Sequence, residues 1–411
     1  MTHERTGGWR GLAATAAAAV VLAACGSGGQ HRQAASPSIS GTSPASAHEP
    51  RVQASPVEDV PSGLAWAMGG TPEGLPTPEV SLADFRSGGP PPDGIPPIDE
   101  PSFVTASTVD FVADSEPVLA LEIGGEARAY PVQILLWHEI VNDIVAGVPV
   151  AVTYCPLCNS AVAYDRRVSG RVVDFGTSGL LWNSALVMYD RQTETLWSHF
   201  TGRAIAGLLT GVELDTYPVA TVPWSVWRAA HPEGLVLSRD TGFDRAYGSN
   251  PYPGYDDIAS QPFLFEGEVD GRLTAMSRVV GIISAGDATA VPLTDLIEHR
   301  VITLDRAGPP VIIWWTAGVA SPLDTPRVAD GADIGSTGVF SPVVDDHRLT
   351  FHPGIDGFVD DQTGSTWNQL GQATAGPMDG RQLQPLVHVD TFWFAWSTFQ
   401  PDTTLTHGGE E

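Results

Sequence analysis

The sequence predicts an α+β protein rich in strands, built as two pseudo-symmetric copies of a hairpin-helix-meander unit. Three observations carry this. Short β-branched apolar runs such as Val148 to Tyr154 have strand length and are punctuated by turn residues such as Gly124-Gly125 and Ser169-Gly170. Helical stretches are few and brief. Residues 118–154 also align without gaps to residues 279–315, and self-similarity at a fixed offset is the mark of an internal repeat.

The elements follow in order. Arg5 and Arg10 flank the start of an apolar segment, Leu12 to Ala24, too short for a span of about 20 residues and built like a signal-peptide core. It ends Leu22-Ala23-Ala24-Cys25, which resembles a bacterial lipobox, in which the cysteine is acylated and becomes the mature N-terminus. An ordinary secretory signal is the alternative, and either exports the chain. The expected organisation is a signal peptide over 1–24, then a disordered tether over 25–56 poor in large apolar residues. A Pro/Gly-rich arm over 57–117 comes next. The first copy runs over 118–239, a connecting segment over 240–278 and the second copy over 279–406. The expected location is extracytoplasmic, with lipid on Cys25 as the only membrane attachment.

Within the first copy, Val118 to Ile123 and Glu126 to Tyr130 read as a hairpin, Pro131 to Val145 as a helix opened by proline, and Val148 to Tyr154 as a strand. Ala185 to Tyr189 and Thr195 to Phe200 flank a turn, and Val222 to Ala230 is a short helix stopped at His231-Pro232. The repeat brings Val118, Gly125, Pro131, His138 and Pro149 opposite Val279, Gly286, Pro292, His299 and Pro310. Further on, Asp190, Gln192, Thr193 and Trp197 recur as Asp360, Gln362, Thr363 and Trp367, and Trp224 and Trp227 as Trp393 and Trp396.

The chain has 411 residues, 42% of them hydrophobic, which is enough for a substantial core. Its net charge of -27, with arginine the only strong base, points away from nucleic acid, whose phosphates demand a basic face.

Several motifs are long and specific. Gly94-Ile95-Pro96-Pro97-Ile98-Asp99, Trp137-His138-Glu139-Ile140-Val141-Asn142-Asp143, Tyr154-Cys155-Pro156-Leu157-Cys158, Asp190-Arg191-Gln192-Thr193 and Trp197-Ser198 together resemble the domain of unknown function numbered 3179, from about Gly94 to Leu405. The resemblance implies no reaction, cofactor or catalytic residue, so function must be argued from side chains.

The two copies provide an internal comparison: what both keep serves the fold, and what one has alone is a candidate site. Cys155 and Cys158 stand opposite Thr316 and Val319, so the unit does not need sulfur to fold. A Cys-x-x-Cys in an exported chain has three readings: a structural disulfide, a thiol redox pair, or two thiolates for a soft metal, copper or zinc, with a further donor. The strand expected after Cys158 speaks against a thioredoxin-like helix opening at the first cysteine. His199, opposite Gln369, is the better histidine donor; His138, the weaker candidate, recurs as His299 and reads as structural, and His231, opposite Gln400, reads as a helix-end contact. Trp137 and Trp182, unpaired in the repeat, leave a carbohydrate- or protein-binding role as the alternative function, with a structural Cys155-Cys158 disulfide. The carboxylates of residues 239–257 lack the ligand spacing of an EF-hand loop. The expectation is therefore a sulfur site for soft-metal handling or thiol redox on a duplicated scaffold.

Overall fold

A computed structural model describes residues 74–305 and 308–408. The signal segment, Cys25, the tether and the beginning of the arm lie outside the described residues. The remainder is β-rich, with four α-helices of seven residues each among the described residues. Helices this short are marginal alone in water and take their stability from the sheets they cover. Among the described residues, no helix is long and apolar enough to cross a membrane.

The first half opens with the hairpin β1 (Pro117–Ile123) and β2 (Glu126–Pro131), turning at Gly124 and Gly125, both at positive φ. Helix α1 (Val132–His138) follows, then β3 (Ile140–Val145), β4 (Val148–Cys155) and β5 (Ser160–Asp165). The helix expected over 131–145 thus ends at His138, and its second part is strand. Ile140, Val141, Ile144 and Val145 are β-branched, and Ala146 and Gly147, both at positive φ, make the tight turn that pairs this run with β4. Strands β6 (Phe175–Trp182) and β7 (Ala185–Asp190) form the next hairpin. Strand β8 (Ala220–Pro223), α2 (Trp224–Ala230) and β9 (Leu235–Leu237) close the half. Here β8 returns to β1, and β9 runs parallel to β2.

The second half uses the same sequence of elements. Strands β10 (Arg278–Ser284) and β11 (Asp287–Pro292) lead to α3 (Leu293–His299), β12 (Val301–Leu304), β13 (Val311–Thr316) and β14 (Ser336–Ser341). Strand β15 (Val389–Phe392), α4 (Trp393–Phe399) and β16 (Thr404–Leu405) end it. The sheet order β8-β1-β2-β9 in one half is β15-β10-β11-β16 in the other, each with its last strand parallel to its neighbour. Local polar networks match as well. The Trp197 indole N–H donates to Asp190 Oδ2 at 2.9 Å and that of Trp367 to Asp360 Oδ2 at 3.0 Å.

Contacts between the halves are reciprocal: β15 packs on β5, and β8 on β14. Trp227 and Trp396 each sit fourth in their helix and are buried, whereas His138 and His299, each last in theirs, differ: His138 is buried and His299 exposed. Residues 240–277 of the connecting segment have no strand or helix. The segment is knitted to residues 317–335, where Asn250 N–H donates to Pro326 O at 2.9 Å and Gly254 N–H to Asp324 O at 2.6 Å.

Candidate functional site

Strand β4 runs straight into the cysteines, with Cys155 as its last residue paired to Ser160, the first of β5. Residues 156–159 form the turn, and Asn159 takes a positive φ that asparagine tolerates. The turn is clamped from the other half, because the Cys158 carbonyl accepts Phe392 N–H at 3.1 Å and the Thr391 hydroxyl at 2.8 Å. The register of β13 and β14 makes Thr316 and Ser336 the corresponding pair, but there residues 317–335 replace the tight turn.

Both cysteines are free and buried, with Sγ atoms 3.2 Å apart. On distance alone either thiol is the donor; the backbone decides. The backbone amides of Leu157, Cys158 and Leu186 favour the Cys155 thiolate, so Cys155 is the sulfur that ionises more readily. Burial opposes ionisation, yet the Cys158 thiol and these amides outweigh it and hold Cys155 below the usual thiol range. Burial, and then the charge on its partner, push Cys158 up. Two vicinal sulfurs with opposite displacements from the ordinary thiol value are poised for a single attacking thiolate and a single reserve thiol.

Glu139 stands beside this pair. It caps α1 with positive φ, its N–H donating to Leu135 O and its carbonyl accepting Tyr154 N–H, each at 2.8 Å. That backbone conformation is unfavourable for a residue with a Cβ. Arg300 repeats it at the end of α3, accepting Trp315 N–H at 2.9 Å, so the bend belongs to the architecture. The side chain does not repeat. Glu139 is buried without a hydrogen bond to its carboxyl among the described residues, and burial first, then the charge of Cys155, push its carboxyl well above the usual range. Burial thus favours its protonated form.

Behind the turn lies His199, fully buried. Its Nδ1 is 3.0 Å from Thr153 Oγ1, and that hydroxyl donates to Val162 O at 3.0 Å, so Nδ1 carries the hydrogen and Nε2 the lone pair. Ser160 Oγ, 3.0 Å from Nε2, donates to it. Ser160 also lies beside Cys158, which links Cys158 to His199 through one hydroxyl. Desolvation lowers His199 to about 4, so the ring is neutral.

A cavity of about 380 Å³ borders the turn at Leu157, with neither cysteine among its lining residues. Leu157 and Glu139 border it, and opposite them stand Leu180, Leu181 and Leu186 of the β6–β7 hairpin. Tyr252, Tyr255, Gln261 and Phe263 of the connecting segment form another wall, with Tyr255 OH donating to Leu157 O at 3.0 Å. Glu139 is the one carboxyl among the lining residues.

Of the residues expected at the site, Cys155 and Cys158 pair, and His199 reaches them only by way of Ser160. His138 does not join them: its Nδ1 is 2.6 Å from Pro96 O and its Nε2 2.6 Å from Tyr247 OH, which fits a hydrogen-bonded structural histidine. His231 stacks on Trp227 at 5.3 Å at the end of α2. Trp182 packs edge-on against Phe399 at 5.1 Å, and the Trp137 indole donates to Ser249 O at 3.2 Å. Among the described residues no three His, Cys, Asp or Glu side chains converge to hold a metal, so the four donors zinc favours are not gathered here. Two thiolates alone suit a two-coordinate soft ion such as Cu(I). Sequence reasoning passed over Glu139, although the comparison that singled out the cysteines would have found it, because Arg300 stands in its place. Tyr252 and Tyr255 left no such signal, since the connecting segment has no counterpart.

Fold and site together define a β-rich protein that carries a buried vicinal dithiol beside a buried carboxyl group. The chain belongs to the family described as Protein of unknown function (DUF3179), which matches residues 92–403. No curated protein and no solved structure matches it.

Proposed function

We propose that the protein is a thiol redox protein whose Cys155-Cys158 pair cycles between dithiol and disulfide. The observation that carries this is the 3.2 Å approach of two free, buried Sγ atoms within one tight turn, where backbone amides favour the Cys155 thiolate. In the oxidising half-cycle the Cys155 thiolate attacks an external two-electron oxidant. Cys158 then gives up its proton towards Ser160 and attacks Cys155 Sγ, closing the disulfide and expelling what remains of the oxidant. Two electrons and two protons leave the pair, and an external thiol returns them. Thiolate nucleophilicity supports the order of attack, since the sulfur that ionises first reacts first.

The donor set favours this over metal handling. Both nitrogens of His199 are engaged, and a third ligand would have to break one of those bonds. The test is a redox titration of the full chain against reduced and oxidised dithiothreitol, read by mass after thiol labelling, with metal analysis alongside. A reversible two-electron transition at Cys155 and Cys158 supports the reading; a pair that binds stoichiometric copper, or that never changes state, sinks it.

Two further parts of the reading concern origin and place. The halves derive, on this view, from one duplicated unit, a reading favoured by the shared sheet order, the Asp-Trp networks and the reciprocal contacts of β5 with β15 and β14 with β8. The chain works outside the cytoplasm, tethered by lipid on Cys25, as the Leu22-Ala23-Ala24-Cys25 segment suggests. Intact mass of membrane-extracted protein should carry a diacyl addition on Cys25, and Cys25→Ala should free the protein from the membrane.

A further inference from the structure

Buried polar groups in folded chains are almost always paired, and an unpaired one calls for an explanation. Glu139 is 7% exposed, its carboxyl accepts no hydrogen bond among the described residues, and it lines the cavity between the β6–β7 hairpin and the connecting segment. Its oxygens are not among the unpaired polar atoms sealed in the interior, so what surface they keep is open to that cavity. The fold does not require the carboxyl, because Arg300 makes the same bend in the other half.

Tyr252 repeats the pattern. It lines the same cavity and bonds through its backbone, to Asn250 Oδ1, while its hydroxyl has no hydrogen bond among the described residues. Burial, and then the charge of Glu139, push that hydroxyl up. Two oxygens that sense each other's charge without bonding leave a place for a donor between them. The rest of the wall says what carries the donor. It is built of leucines and of three aromatic rings, Tyr252, Tyr255 and Phe263, and no arginine or histidine is among the lining residues. An anion would meet a carboxyl and no counter-charge there. A cation would meet aromatic faces, which attract it, and one carboxyl to pair with. The chain's net charge of -27 also concentrates cations at its surface. At about 380 Å³ the cavity falls within the range of small-molecule sites, about 300–1,000 Å³.

We propose that this cavity binds a small organic ammonium ion with an apolar body, its N–H donating to the Glu139 carboxylate and the Tyr252 hydroxyl. The body lies on the leucines, and the exposed Gln261 and Phe263 mark the mouth. The site is independent of the redox reading, since neither sulfur lines it. Burial favours the protonated carboxyl in the empty site, so an incoming RNH3+ displaces the Glu139 proton to solvent and leaves a neutral ion pair. The other titratable groups around Glu139 are Cys155 and Cys158 of the turn and Tyr252, with Tyr154, Arg278 and Asp256 beyond. His138, its neighbour in sequence, is bonded instead to Pro96 O and Tyr247 OH.

The experiment titrates the reduced full chain with 2-phenylethylamine, hexylamine, 2-phenylethanol or 3-phenylpropionate, by calorimetry in buffers of differing ionisation enthalpy. Expected is one amine per chain, bound about twentyfold or more tighter than the alcohol, no binding of the acid, and proton release on binding. Affinity for the amine should rise about tenfold per pH unit below the native value of the carboxyl and level off above it. This limb should persist in Cys155→Thr, which removes the neighbouring thiol and keeps Glu139. Glu139→Gln should bring the amine down to the level of the alcohol, and unchanged alcohol binding there reports an intact cavity. The ligand series on the parent chain decides the matter without any variant. If the alcohol or the acid binds as well as the amines, or if neither amine binds below about 1 mM, the assignment is overturned and the redox reading stands untouched. Equal amine binding by Glu139→Gln overturns the role of that carboxyl.

Discussion

Cys155 and Thr316 occupy the same place in the two halves: each is the last residue of a strand, and each pairs with a serine that opens the next, Ser160 or Ser336. In the second half the Thr316 hydroxyl donates to Gln369 Oε1 at 3.1 Å, and Gln369 Nε2 donates to Ser336 O at 2.9 Å. Where one half has thiol and imidazole, the other has hydroxyl and amide. Cys155→Thr should therefore fold, with thermal unfolding showing a loss below about 2 kcal/mol. The same variant should take up no electrons in a dithiothreitol titration.

Ionisation is divided unequally between the sulfurs. A single-cysteine variant that keeps the attacking sulfur should trap a substrate, so Cys158→Ser exposed to an aromatic disulfide should accumulate a mixed disulfide on Cys155. Cys155→Ser should form little adduct on Cys158, whose thiol is held protonated. Peptide mass mapping distinguishes the two, and equal labelling would contradict the assignment of roles.

His199 should make stability depend on pH. Its native value of about 4 lies below the ordinary 6.5, so the unfolded chain binds the extra proton and folding weakens as pH falls between those values. The loss approaches about 3 kcal/mol. His199→Gln, copying Gln369, should flatten this slope in denaturant unfolding between pH 4 and about 7.

Glu139 works in the opposite sense. Its native carboxyl is displaced upward from 4.5, so its contribution is whole below that pH and is lost as pH rises towards the native value. Glu139→Gln should consequently be more stable than the parent at pH 7 and nearly equal to it at pH 4. A variant that gains stability is the expected signature of a buried carboxyl that folding does not need.

Asp190 and Asp360 should behave as structural partners. Each accepts from a buried tryptophan and a threonine. Asp190→Ala or Asp360→Ala leaves those donors unpaired, at about 1–3 kcal/mol for each. Melting temperatures should fall in both variants, and redox titration of the pair should not move.

Much of this architecture was legible as pattern. Gly124-Gly125, the β-branched run before Cys155 and the short Trp224 helix all act locally, so sequence neighbours suffice to read them. The helix read through Val145 failed because Ile140 to Val145 is apolar enough for either element, and only its pairing with Val148 to Cys155 decides for strand. The site was legible in part for the same reason. Cys155, Cys158 and His199 differ between the halves, and so are visible by comparison. Glu139 was hidden by sitting beside a histidine that looked more chemical, and its burial is a property of the fold. The cavity wall from Tyr252 to Phe263 comes from a loop without periodicity, which carries no signal until it is folded over the cysteines.

The clamp on Cys158 carries a consequence for how this chain can be divided. Phe392 and Thr391 hold that carbonyl from a segment more than half the chain away, so the turn bearing the sulfurs is shaped by residues synthesised last. During synthesis the cysteines emerge long before their clamp, and the dithiol acquires its geometry only when the C-terminal helix docks. A fragment ending in the connecting segment would contain every atom of the reactive pair and still lack the grip that orients it.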